Sequence, residues 1–137
     1  MSLPKIQFSD WYPWKQRNSI KNSKEPGVYM LAKLTTVPPG NADPLDDNII
    51  YVGETCRSLR GRWDQFERSA FQSKPGHSGG RNYRKLYGDI GQYLYVAAMP
   101  VIIMDKTLRS SFIPFVERKL ILDFVVNHKR RPECNLK

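Results

Sequence analysis

Gly27-Val28-Tyr29-Met30-Leu31 and Ile49-Ile50-Tyr51-Val52-Gly53, followed by a change of period after Thr55, decide the fold. The first run continues to Leu34 and ends near Thr36; the second is short, β-branched and aromatic. Both read as strands, and two successive strands pair most simply as antiparallel neighbours. Residues 37–48 between them hold three prolines, a glycine and three aspartates, a turn-rich connection. Beyond Thr55, Leu59, Trp63, Phe66 and Ala70 fall at i, i+4, i+7 and i+11, one stripe of a helix. Asp64 and Arg68 on another face are spaced as an i,i+4 pair.

Working outward, residues 73–80 read as a loop, with three glycines and a proline in eight positions. A short helix is expected to begin within 82–87, and 93–104 is a third strand, bent or broken at Pro100. Residues 115–127 form the clearest helix, with Pro114 in its first turn. The order β-β-α-loop-β-α predicts a small α+β domain rather than an alternating parallel fold. Residues 1–26 precede it; Phe8, Trp11, Tyr12 and Trp14 are a costly set to leave in water, so this arm is expected to pack on the domain formed by 27–137.

A chain of 137 residues is sized for one domain with a core of its own. It has no run of about 18 apolar residues that would span a bilayer. Its first residues lack the apolar stretch of a signal peptide, so a cytoplasmic address is expected. Cys56 and Cys134 cannot make a disulfide framework, and with His77 and His128 they show no regular zinc spacing. The formal charge is +9, and it is concentrated. Residues 57–87 carry eight basic side chains (Arg57, Arg60, Arg62, Arg68, Lys74, Arg81, Arg84, Lys85) against Asp64 and Glu67. An arginine-rich excess suits a polyanion, because guanidinium binds phosphate as a bidentate fork. A solvated basic face that serves solubility is the plainer alternative.

Glu117 shares a helical face with Ile113, Leu120, Ile121 and Phe124, and a carboxylate on a core-facing stripe is expensive unless something pairs with it. A place in a first helical turn, favoured by the macrodipole, is the structural alternative; a capping box from Ser111 fails because position 114 is Pro. Arg62 sits beside Leu59 and Phe66 at the rim of its stripe, placed either to enter a cleft or to snorkel over apolar surface. Tyr29 has Gly27 two positions before it and Tyr51 has Gly53 two positions after it. Residues i and i+2 share a strand face, so each tyrosine has a bare neighbour with room for a ligand backbone or phosphate.

In sequence order, Gly27-Val28-Tyr29, Tyr51-Val52-Gly53, Arg62, Glu117 and Asn135 resemble the GIY-YIG nuclease family, and the likeness runs from Gly27 to Asn135. The resemblance implies a three-stranded antiparallel sheet flanked by helices and metal-dependent hydrolysis of DNA phosphodiesters, with Mg²⁺ or Mn²⁺ as cofactor. It implies Tyr29 and Tyr51 as the motif tyrosines, Arg62 as the phosphate-contacting arginine, Glu117 as the metal-binding carboxylate and Asn135 as the C-terminal asparagine at the substrate. Arg57, Arg60, Lys74, Arg81, Arg84 and Lys85 would then position the DNA backbone.

Two departures stand out. The link between the tyrosine strands is long and proline-rich, like a surface insertion. Phe66 stands one turn after Arg62, where many members carry a histidine or tyrosine, and it can neither donate nor accept a proton. His77, between Lys74 and Arg81 in the glycine-rich segment, could fill that gap, since an unperturbed histidine near pKa ~6.5 shuttles protons at neutral pH; a connector loop without chemistry is the alternative. The segment also resembles loops of small GIY-YIG proteins related to restriction endonucleases. The rivals to an endonuclease are a non-catalytic nucleic-acid-binding module that keeps the fold and a protein-interaction domain. Monomer and homodimer both remain open.

Overall fold

The computed structural model describes residues 3–136. Met1 and Ser2 of the expected arm, and Lys137 of the expected domain, lie outside them. The expected α+β class stands, but the sheet has four antiparallel strands rather than three. These are β1 (Tyr12–Pro13), β2 (Gly27–Lys33), β3 (Ile49–Thr55) and β4 (Leu94–Pro100), in the order β1-β4-β2-β3. The additional strand comes from the arm. Tyr12 and Pro13 pair with Val96 and Tyr95 at one edge, where a proline lacking an N–H is tolerated. A 3₁₀ helix in the arm (Trp14–Ser19) and three α-helices complete the described residues: α1 (Leu59–Phe71), α2 (Ser78–Leu86) and α3 (Lys106–His128).

The sheet divides the core into two layers. On one face α1 and α2 cover Tyr29, Leu31, Tyr51, Val96 and Ala98, and the stripe Leu59, Trp63, Phe66, Ala70 is buried there as its spacing predicts. On the other face α3 and the arm cover Val28, Met30, Val52, Ala97 and Met99, with Phe8 and Trp11 supplied by the arm. Each such fully buried large side chain contributes roughly 1.5–3 kcal/mol. A bulge makes the two layers possible on β3: Leu31 faces Tyr51 and Ala32 faces Ile49, leaving Ile50 as the extra residue. Ile49 therefore joins the α3 layer while Tyr51 joins the α1 layer, although strict alternation would put both on one face.

Three local expectations are revised. The third strand stops at Pro100, and the last helix starts well before Pro114. Asp105 caps α3, its carboxylate accepting from the Leu108 N–H at 3.0 Å, so Pro114 lies inside the helix. Ser110 and Ser111 hydroxyls both donate to the Thr107 carbonyl in the turn before the proline. Residues 78–80 are helix, not loop, and α2 begins at Ser78. Asp64 does not pair with Arg68: its ion pair is with Arg17, at 3.3 Å, and Arg17 also reaches Glu67 at 3.4 Å. These bonds tie the arm to α1. Among the described residues no helix is long and apolar enough to cross a membrane.

Candidate functional site

Tyr29 lies at the middle of β2, between β3 and β4, and is fully buried. Its ring packs edge-on to Trp63, with centroids 6.2 Å apart, and beside Tyr51 at 6.0 Å. The glycines near the tyrosines make room for protein, not for a ligand as the strand periodicity implied. A Cβ on Gly53 would meet Tyr29 Cζ and Tyr51 Cε2 at 2.6 Å, and one on Gly27 would meet the Met99 carbonyl oxygen at 2.3 Å. Tyr51 is held from the other side by Gly79 of α2, where a Cβ would stand 2.5 Å from its ring. That contact, with the approach of Gly80 to the Phe66 carbonyl, is why a glycine-rich segment here is the packed start of a helix.

His77 caps that helix and is 1% exposed. Its Nδ1 accepts the Gly80 N–H at 3.1 Å, and its own backbone N–H donates to Ser69 Oγ at 3.1 Å. With Nδ1 an acceptor, the neutral ring carries its hydrogen on Nε2. Nε2–H therefore donates to the Tyr29 hydroxyl, 2.8 Å away. This corrects the picture of an unperturbed proton shuttle in a solvated loop. Burial, aided by the Arg62 charge, holds the His77 pKa down to about 3, so the ring stays neutral. Its plane stands edge-on to Phe66, centroids 5.3 Å apart: the imidazole from α2 rests against the α1 phenylalanine, one turn after Arg62.

Arg62 projects from α1, half-buried, and donates to the Gln65 side chain at 2.6 Å and the Gly76 carbonyl at 3.1 Å. Its charge bears on Tyr29, Tyr51, His77 and Glu54 alike. Burial raises the Tyr29 pKa well above the phenol range, Tyr51 and Glu117 add to the rise, and Arg62 opposes it. Tyr51 is pushed up to about 12 by burial against the same cation. Both phenols are therefore protonated at neutral pH. Glu117, half-buried on α3, is pushed up to about 6, first by burial and then by Glu54, with Arg118 opposing. Since α3 begins at Lys106, after its Asp105 cap, the first-turn explanation for Glu117 is excluded.

The chain matches no family model, curated protein or solved structure.

The site's chemistry therefore rests on its own geometry. Glu54 is the residue the sequence reading missed. It pairs across the ladder with Val28, whose side chain faces α3, so it points to the layer that carries Glu117. Its carboxyl is raised by burial and lowered by the Cys56 thiol and Arg62. Alternation from Gly53 could have placed it; nothing local could have shown that α3 brings Glu117 near. Two grooves flank the cluster. One of about 700 Å³ is lined by Glu54, Arg57, Arg62 and Arg68, and one of about 550 Å³ by Tyr51, Arg81, Lys85, Glu117 and Asn135.

The basic candidates separate on this geometry. Arg57, Arg81 and Lys85 are exposed groove residues. Lys74 and Arg84 are exposed but line neither groove. Arg60 lines neither groove and is tied to the arm, donating to Ser23 Oγ at 2.8 Å and the Asn18 carbonyl at 2.7 Å. Asn135 borders its groove, and its amide clasps the Val52 backbone: Oδ1 accepts from the backbone N–H at 2.8 Å and Nδ2 donates to the carbonyl at 2.9 Å, leaving a second N–H and lone pair over. It seals the open edge of β3 next to Tyr51.

Proposed function

We propose that the chain is a GIY-YIG-type endonuclease, working in the cytoplasm to hydrolyse DNA phosphodiester bonds with Mg²⁺ or Mn²⁺. One observation carries this reading. The buried Tyr29 hydroxyl, held by the His77 Nε2–H, lies within electrostatic reach of Tyr51, Arg62 and Glu117, each supplied by a different element. The basic grooves beside them suit a phosphate backbone.

Among the described residues no three His, Cys, Asp or Glu side chains gather as a metal cage. Mg²⁺ does not require one, since it is commonly held by one or two carboxylates and keeps several waters. The donor set fits: Glu117 and Glu54 repel one another in a half-buried place, and a divalent cation relieves that repulsion. Glu117, with Glu54 beside it, would hold the ion, which supplies charge stabilisation at the leaving oxygen.

His77 donates to Tyr29 Oη and the Arg62 side chain hydrogen-bonds it as well, so both lone pairs are engaged and the phenol's own hydrogen is what remains. Once Arg62 turns to the phosphate and the side chains that cover Tyr29 draw back, its hydroxyl accepts from the attacking water and donates to a non-bridging phosphate oxygen. A proton can thus cross the phenol from water to phosphate without a phenolate forming. Arg62 neutralises charge on the non-bridging oxygens as it builds. His77 fixes the phenol's orientation and stays neutral throughout.

The competing reading, a binding module without chemistry, draws on Phe66, which cannot transfer a proton. Plasmid cleavage with Mg²⁺ or Mn²⁺, beside Glu117→Gln and an EDTA control, decides between them. Metal-dependent nicking or linearisation, lost in the variant while salt-sensitive DNA binding persists, is expected. Binding without cleavage on a broad set of DNA substrates would favour the module, and a flat salt response would remove DNA as the partner.

A further inference from the structure

Helix α3 is apolar on two opposite faces. Its inner face, Ile113, Val116, Leu120 and Phe124, is buried against the sheet. On the outer face Phe115, Leu122 and Val126 stand 57%, 61% and 62% exposed. At 3.6 residues per turn these three lie within about 40° of one another around the axis. A surface helix ordinarily keeps its outer face polar, and an exposed apolar stripe marks an interaction site, so the outer stripe is a face without its partner. Beside Val126, between α3 and the residues around Leu45, lies a largely apolar cavity of about 660 Å³ lined by Ile6, Leu45 and Leu120. Lys119 and Asp123 are at its rim, paired with each other at 2.7 Å.

Knob and hole are therefore on the same helix. Phe115 projects about 16 Å along the axis from Val126 and its cavity, on the same side. A two-fold axis crossing α3 between Lys119 and Leu122 sets Phe115 of each copy against Val126 and the cavity of the other. The same operation brings Lys119 of each copy to Asp123 of the other, converting two ion pairs into a ring of alternating charge. A surface that fits itself under a two-fold, in shape and in charge, is an isologous interface. We propose that a second copy of this chain covers the outer face of α3, forming an antiparallel dimer with Phe115 in the cavity beside Val126. None of these residues belongs to the cluster around Tyr29, so the dimer stands or falls independently of the nuclease reading.

Sedimentation equilibrium of the full chain over a wide micromolar range tests it. A dimer is expected for the wild type. Phe115→Glu or Leu122→Glu should weaken it about 100-fold or more, as for an unpaired charge forced into an interface. Both positions are exposed, so circular dichroism should not change. Lys119→Glu and Asp123→Lys should each weaken the dimer, and the double reversal should restore it. In a Cys56→Ser background, Phe115→Cys with Val126→Cys should oxidise to a covalent dimer, whereas Phe115→Cys alone should not. A monomer at every concentration, a dimer indifferent to Phe115→Glu, or crosslinking by Phe115→Cys alone would overturn the proposal.

Discussion

A methyl group at Gly53 tests the tyrosine cluster most directly. An added Cβ would stand 2.6 Å from Tyr29 Cζ and Tyr51 Cε2, and 2.7 Å from the Tyr29 hydroxyl oxygen. Carbon atoms in contact prefer about 3.5–4.0 Å, so both rings must withdraw by about 1 Å. Tyr29 is fully buried and anchored by His77, and Tyr51 is backed by Gly79, so neither withdraws freely. Overpacking of this kind costs roughly 1–3 kcal/mol. For 137 residues the unfolding entropy is about 0.29 kcal/mol per kelvin, so Gly53→Ala should lower Tm by about 3–10 °C. Misplacement by about 1 Å at reacting groups can cost about 100-fold in rate, and single-turnover plasmid cleavage should fall accordingly while DNA affinity is kept. Gly61→Ala is the control. Its Cβ would meet only the Ser58 side chain, Cβ at 3.8 Å and Oγ at 3.9 Å, in the first turns of α1, and the change should be neutral or stabilising by up to about 1 kcal/mol. Thermal melts of the two variants in parallel read the difference. If Gly53→Ala melts with or above Gly61→Ala, the close packing of the tyrosines argued above is wrong.

Other perturbations read the charges. Glu117 is raised from 4.5 to about 6, so its ionisation opposes folding: the penalty is absent below pH 4.5, grows through pH 6 and is complete above it. Melting without divalent cations should show Glu117→Gln gaining on the wild type as pH rises across that window, and a constant offset would contradict the burial of this carboxyl. His77 is held near 3, so the unfolded chain gains a proton below about pH 6.5 that the folded chain refuses. Wild-type stability should therefore fall from pH 6.5 downward. His77→Asn keeps a capping acceptor but should flatten that acid limb in urea titrations and slow cleavage; an unchanged limb would place the titration elsewhere. Arg81→Ala should weaken DNA binding and reduce the slope of log affinity against log salt by about 1. Arg60→Ala, whose guanidinium holds Ser23 and Asn18, should lower Tm with little effect on that slope, and the reverse pattern in filter binding would undo the assignment of both.

Legibility followed the range of the forces involved. The α1 stripe was readable because four large or apolar residues at helical spacing leave little else for the backbone to do, and all four are buried. Pro114 misled because proline favours a first turn, while the start of α3 depends on the Asp105 cap nine positions earlier. The strand at Tyr12–Pro13 is too short to have a period of its own and exists only because β4 offers an edge. The basic residues around α1 and α2 were visible as a cluster, but their division into groove residues and the arm's tether at Arg60 was not. That division depends on residues about 40 positions away.

By itself the sequence determined the α+β class, the strands that carry Tyr29 and Tyr51, and the cost of turning Glu117 toward a core. All three follow from periodicity and burial, which are properties of neighbouring residues. The tertiary structure alone decided that Gly53 and Gly79 clamp Tyr51, that His77 is a buried neutral donor to Tyr29, and that Glu54 and Glu117 share one electrostatic environment. These are contacts between elements far apart in the chain. Steric exclusion and desolvation act on them only after the layers have packed, so no local pattern could encode them.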